Sequence, residues 1–157
     1  MTGLYLDAVH EGDELPPLTV DVTPTTVVLG ALASRDWRPM HHDFHFATER
    51  NGTQDIFMNT PNQAAWFERY LTDWTGPKGR LGRVKFKMMG SVFPGVPMEL
   101  RAVVTKVEQD DTGCGWFELD VTLRSGGEVA TTCEARVALP VADDDNPWTR
   151  RAAAWQP

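Results

Sequence analysis

One long amphipathic segment followed by four segments whose side chains alternate is the feature that most limits how this chain can fold. In NQAAWFERYLTDW, residues 62–74, Ala64, Phe67, Leu71 and Trp74 fall at helical spacing with Tyr70 beside them, which makes one face apolar. Thr60-Pro61 is a cap followed by a proline, and Gly76-Pro77 ends the segment. From residue 81 the period drops to two. LGRVKFKMMGSVF, MELRAVVTKVEQ, WFELDVTLRS and EVATTCEARVALP read as strands, with DDTG and SGG as turns between the later ones. This predicts three hairpin-like connections in an antiparallel sheet. A lone helix with an aromatic face must be covered, and the sheet is what can cover it. The fold class expected is α+β, a central helix wrapped by a curved antiparallel sheet.

Upstream, LTVDV at 18–22 predicts a short strand. Thr23-Pro24 is a second helix start, and the apolar run Val27 to Ala33 predicts a short buried helix. Residues 34–59 carry no periodic pattern, with a turn at Asn51-Gly52. The 157 residues, 41% hydrophobic, suit one domain, expected over 1–142, with a tail at 143–157 whose Trp148 and Trp155 point to docking. A net charge of −7 argues against tracking nucleic-acid phosphates. No apolar run is long enough for a membrane span, and the first residues lack a basic region followed by an apolar one, so a cytoplasmic protein is expected. Cys114 and Cys133 are expected to stay reduced.

RDWRPMHHDFH, residues 35–45, holds three of the four histidines of the chain. Asp36 and His41 bracket Pro39. Proline restricts itself and Arg38, which interrupts any continuous helix and fixes the two side chains relative to each other. A carboxylate and an imidazole that touch one water are a general acid/base pair. The plainer alternative is a loop Asp capping a turn and a packed His. An extended HHDFH would set His41, Asp43 and His45 on one face as a metal site would require. Such a lone trio is seldom a site, so no metal is expected, and Asp43 is expected to accept backbone hydrogen bonds.

Asp36-Trp37-Arg38-Pro39-Met40-His41 resembles the Asp-x-Asn-Pro-aliphatic-His motif of the R-specific, MaoC-like enoyl-CoA hydratase family. Asp43 and Ala47 also suit the pattern, and Asn59 stands where that family has a glycine at the start of its central helix. The resemblance spans roughly residues 10–140. LASRDWRPMHHD, QDIFMNT and ERYLTDWTGP are similar, within the family, to the small subunits of steroid side-chain enoyl-CoA hydratases. Arg38 in place of Asn, Arg35 in place of Gly, and Asn59 depart from the pattern.

The resemblance implies a hot-dog fold and addition of water across the α,β double bond of an acyl-CoA thioester. Asp36 and His41 would be catalytic, and backbone N–H groups at Asn59 would form an oxyanion hole at the positive end of the helix. No redox or metal cofactor is implied, coenzyme A entering as part of the substrate. The implied partner is a second MaoC-like subunit carrying an OB-type domain, or a second copy in a homodimer. Lys78, Arg80, Arg83, Lys85 and Lys87 hold 5 of the 15 basic residues. Of these, Arg80, Arg83, Lys85 and Lys87 are expected to meet CoA phosphates; the alternative is the solvated face of a strand. Met40, Phe57, Met58, Met88 and Met89 suit the wall of an apolar acyl pocket. A thioesterase on the same fold, or a subunit active only in complex, are the other readings.

Overall fold

The computed structural model describes residues 3–157. A short strand β1 (Leu18–Val20) leads into helix α1 (Pro24–Ala33), and the long helix α2 (Thr60–Thr75) precedes four strands, β2 (Arg80–Met88), β3 (Met98–Gln109), β4 (Gly115–Ser125) and β5 (Glu128–Leu139). All pairings are antiparallel, in the order β1-β3-β4-β5-β2. On β3, Leu100, Ala102 and Val104 are buried at alternate positions. Phe117, Leu119, Val121 and Leu123 of β4 and Cys133, Ala135 and Val137 of β5 continue that apolar face, and Phe67, Tyr70 and Leu71 of α2 belong to the same core. This is the expected hot-dog arrangement: the helix hides its aromatic face in the curve of the sheet.

Two of the three expected hairpins are present, β3–β4 and β4–β5. The third is not, because β2 pairs with β5 on the far edge. Residues 89–97 therefore cross from one edge of the sheet to the other side. They pass the start of α2, where Met58 N–H donates to the Val92 carbonyl. Period-two patterning identifies strands but not their neighbours, so the crossing was not visible in the sequence.

Helix α1 starts as expected, with a reciprocal capping box between Thr23 and Thr26 and Pro24 in the first turn. It is not a buried helix. Val27 and Ala31 are buried, whereas Leu29 and Leu32 are 58% and 44% exposed. Its inner face meets α2 at Gly30: a Cβ there would lie 1.9 Å from the Asn62 amide nitrogen, so only glycine allows this approach. Residues 34–59 are more regular than their pattern suggests. They hold a 3-10 turn at Pro39–His41 and a π-helical turn at Phe46–Arg50, the latter with its first N–H, that of Phe46, accepted by Asp43 as expected.

The C-terminal segment docks on the outer face of the sheet. Trp155 packs on Trp116 with ring centroids 4.8 Å apart, in a second small core with Cys114 and Ala138. The Arg80 guanidinium lies 3.5 Å from the Trp155 ring centroid and donates to the Pro147 and Arg150 carbonyls. Both cysteines are free and buried. Cys133 faces Val121, while Cys114 precedes Gly115 at the far end of the same strand. That separation, about 20 Å at ~3.3 Å per residue, is beyond any disulfide.

Candidate active site

Asp36 is positioned by the way α1 ends. Asp36 N–H donates to the Ala31 carbonyl and Arg35 N–H to that of Leu32. These two bonds, with Arg35 in the left-handed region at φ 54°, are the Schellman arrangement. Arg35 occupies the position such a turn reserves for glycine, which accounts for the glycine usual there. Asp36 is the next residue, so its carboxylate leaves the helix end at a fixed angle.

Arg38, extended as the residue before proline must be, leads into the 3-10 turn that carries His41. His41 is 4% exposed, and its ring meets Phe57 edge-on. Nδ1 lies 2.8 Å from the Phe57 carbonyl oxygen. A carbonyl can only accept, so Nδ1 carries the proton, and in the neutral ring Nε2 presents its lone pair. That lone pair faces Asp36 Oδ2 at 3.6 Å. Two acceptors at this distance do not bond to each other. A water that donates one hydrogen to each would join them.

Asp36 has other donors. Its Oδ1 accepts from Arg38 Nε at 2.9 Å and from the Arg38 backbone N–H at 3.3 Å. Its Oδ2 accepts from Arg38 Nη2 at 2.9 Å and from Asn59 Nδ2 at 3.0 Å. Four donors fill the roughly four lone-pair positions of a carboxylate. The Arg38 side chain, followed by the Asn59 amide, holds Asp36 well below the usual carboxylate range. Asp36 is thus a permanent anion, poor at taking protons and well placed to stabilise a protonated His41. The Arg38 side chain is 65% exposed, so its contacts with Asp36 are the ones that can yield to water.

Asn59 does more than was expected of it. The expected role rested on its backbone, with Thr60 as cap. The N-cap is Asn59 itself, in ordinary extended geometry at φ −77°, and its side chain accepts from Asn62 N–H. The same side chain donates to Asp36 and to Ser34 Oγ at 2.9 Å. Glycine would supply none of these bonds. The backbone N–H groups of Asn59 and Thr60 have no partner among the described residues. They lie at the positive end of α2.

A cavity of about 360 Å³ joins these parts. Arg38, His41, Asn59 and Thr60 line it, with Met40, Phe57, Met58, Met88 and Met89 as its apolar wall, as expected, and Gln63 at its inner side. Gln63 was not visible as a site residue, because a lone glutamine on a helix carries no pattern. The structure does not bring the basic residues into this cavity. Arg83, Lys85 and Lys87 are exposed on β2, whose last residue Met88 lies in the cavity wall. Arg80 is at the opposite end of that strand, about 26 Å away at ~3.3 Å per residue, and anchors the C-terminal segment. His45 pairs with Glu49 at 3.0 Å. Among the described residues no three His, Cys, Asp or Glu side chains converge as metal ligands would.

No protein-family model matches the chain. It is 35% identical over 94 residues to the 3-oxo-4,17-pregnadiene-20-carboxyl-CoA hydratase beta subunit of Mycobacterium tuberculosis (strain ATCC 25618 / H37Rv), a stretch covering 60% of this chain and 67% of that protein. The chain belongs to the MaoC-like enoyl-CoA hydratase family. Among solved structures, this MaoC-like chain superposes on the ChsH1-ChsH2 complex from M. tuberculosis with a TM-score of 0.76 and 26% identity, over 83% of this chain and 98% of that one. It shares its fold with the (R)-hydratase from A. caviae involved in PHA biosynthesis, at a TM-score of 0.75 and 23% identity, over 85% and 98% of the two chains. No helix of this MaoC-like chain among the described residues is long and apolar enough to cross a membrane.

Proposed function

We propose that the chain hydrates 2-enoyl-CoA thioesters, with a steroid side-chain or similarly bulky acyl group as substrate. The observation that carries this reading is the lone pair of His41 Nε2 facing Asp36 Oδ2 at 3.6 Å beside a cavity rimmed by the open start of α2. The substrate class is supported by the relative, which is named for a pregnadiene carboxyl-CoA ester.

The thioester oxygen rests on the N–H groups of Asn59 and Thr60. His41 Nε2 takes a proton from the bound water as its oxygen adds to the β-carbon. Charge moves to the thioester oxygen, where one such donor is worth ~3–4 kcal/mol in related chemistry. The imidazolium, held against the Asp36 carboxylate, returns a proton to the α-carbon. One water supplies both the hydroxyl and the balance of protons, and no cofactor enters. For water to reach Asp36, Arg38 gives up one of its two side-chain contacts.

Arg83, Lys85 and Lys87 are proposed to meet the CoA phosphates along β2. A second MaoC-like chain, carrying an OB-type domain, is proposed as partner. The heteromeric neighbour supports a partner of this general kind.

The test is the fall of enoyl-thioester absorbance on mixing enoyl-CoA with the wild-type chain, alone and with the candidate partner. Asp36→Asn and His41→Ala are expected to lower kcat by ~10²–10⁴ with the circular dichroism unchanged. Near-native turnover in either variant, or release of free CoA thiol in place of a hydroxyacyl product, would overturn the reading.

A further inference from the structure

The cavity wall contains one polar group that neither the catalytic pair nor the thioester needs. Gln63 is 2% exposed and lies in the second turn of α2. Its Oε1 accepts from the hydroxyl of Thr131 at 2.7 Å, and Thr131 on β5 is fully buried. That bond fixes the amide and leaves Nε2 buried with no partner. A buried donor without an acceptor is unfavourable, and native folds keep few of them. Here it sits in the wall of the site cavity beside His41, among methionines. Methionine side chains shift readily to admit a ligand.

The acceptor that Nε2 lacks is not the thioester oxygen. The N–H groups of Asn59 and Thr60 serve that atom, and Gln63 is four residues further along the helix, about 6 Å of rise. Its side chain leans back toward the start of α2, as helical side chains do, and so toward the cavity. The next part of a substrate bound there is the acyl group beyond the double bond.

On the hydratase reading above, we infer that Gln63 is a specificity-determining residue that selects acyl groups bearing a keto or hydroxyl oxygen. The Nε2 amide donates to that oxygen. A plain hydrocarbon acyl group leaves the donor unpaired and is disfavoured, in the way that sites built around a hydrogen bond reject analogues lacking the group.

The experiment compares trans-2-octenoyl-CoA with a panel of its esters carrying one keto or one hydroxyl oxygen from the fifth carbon onward. Both kcat/KM for hydration and the affinity of the same esters by calorimetric titration are measured. Wild type is expected to prefer an oxygenated ester at one position by about tenfold to a hundredfold. In Gln63→Met, which keeps length and loses the donor, that ratio falls to about one. Gln63→Glu retains an acceptor for Thr131 and turns the free end into an acceptor. It is expected to lose the keto preference and keep the hydroxyl preference.

No preference at any position in wild type would overturn the inference. So would a ratio unchanged in Gln63→Met, or a loss in Gln63→Met equal on plain and oxygenated esters, which is the mark of a structural role. The hydratase reading fails differently: no ester is hydrated, while the titrations still give the ratio.

Discussion

Asp36 carries two demands that pull against each other. It must help to hold a water, yet Arg38 and Asn59 already fill its oxygens. The family motif places Asn where this chain has Arg38, and the consequence is a carboxylate held ionised far into acid. A group whose acidity is strengthened on folding stabilises the fold wherever the unfolded group is also ionised. That contribution is complete above about pH 4, the ordinary carboxylate value, and is lost as pH falls below it. Asp36→Asn removes it. Urea unfolding should therefore show wild type more stable than Asp36→Asn at pH 7, with the gap closing below about pH 4. A gap that stays constant with pH would mean that Arg38 does not hold Asp36 in solution. Asn59 makes the second residue-scale case. Its side chain caps α2 and braces Asp36, so Asn59→Ala should cost ~0.5–2 kcal/mol from the cap and lower kcat as well. At this chain length each kcal/mol moves Tm by about 2–4 °C, a shift that calorimetry would detect. The sequence showed the residue pair and its spacing. It could not show that the Asn59 side chain, rather than its backbone alone, belongs to the site, since that depends on Ser34, Asp36 and Asn59 meeting across 23 and 25 residues of separation.

At the scale of elements, most of the order was legible because helix and strand periods are local properties. The start of α1, the extent of α2 and the three long later strands follow from caps, apolar spacing and alternation. What was not legible depends on partners. Strand β2 could pair with β5 or β3 on its pattern alone, and α1 shows its outer face only once α2 fixes its inner one at Gly30. The turn that ends α1 shows how local and distant effects combine. Arg35 adopts a left-handed φ of 54° because the Schellman bonds to Ala31 and Leu32 require it. Holding a residue with a Cβ there costs ~1–2 kcal/mol, while glycine adds ~0.5–1 kcal/mol of unfolded-chain entropy. Arg35→Gly is thus expected to stabilise the protein by up to ~1 kcal/mol and raise Tm, with Asp36 left in place. A fall in Tm would show that the Arg35 side chain makes a stabilising contact that outweighs its backbone strain.

At the scale of the whole molecule, β2 is an edge strand with one side unpaired in the sheet. Edge strands invite association, and outward Lys and Arg side chains are a common defence. Arg83, Lys85 and Lys87 fit that role, and they also form a positive strip on a chain of net charge −7. The strip ends at Met88, in the wall of the cavity, so its placement suits the anionic end of CoA as well as edge protection. The two roles separate in one experiment. Lys85→Ala/Lys87→Ala should raise KM for an enoyl-CoA about fivefold or more, since an exposed charge contact is worth up to ~1 kcal/mol. The effect should shrink in ~1 M salt, where the screening length falls to ~3 Å. It should vanish with the pantetheine thioester of the same acyl group, which lacks the nucleotide phosphates. If the charges guard the edge instead, KM stays the same for both thioesters, and the double variant shows a larger native mass than wild type at equal concentration.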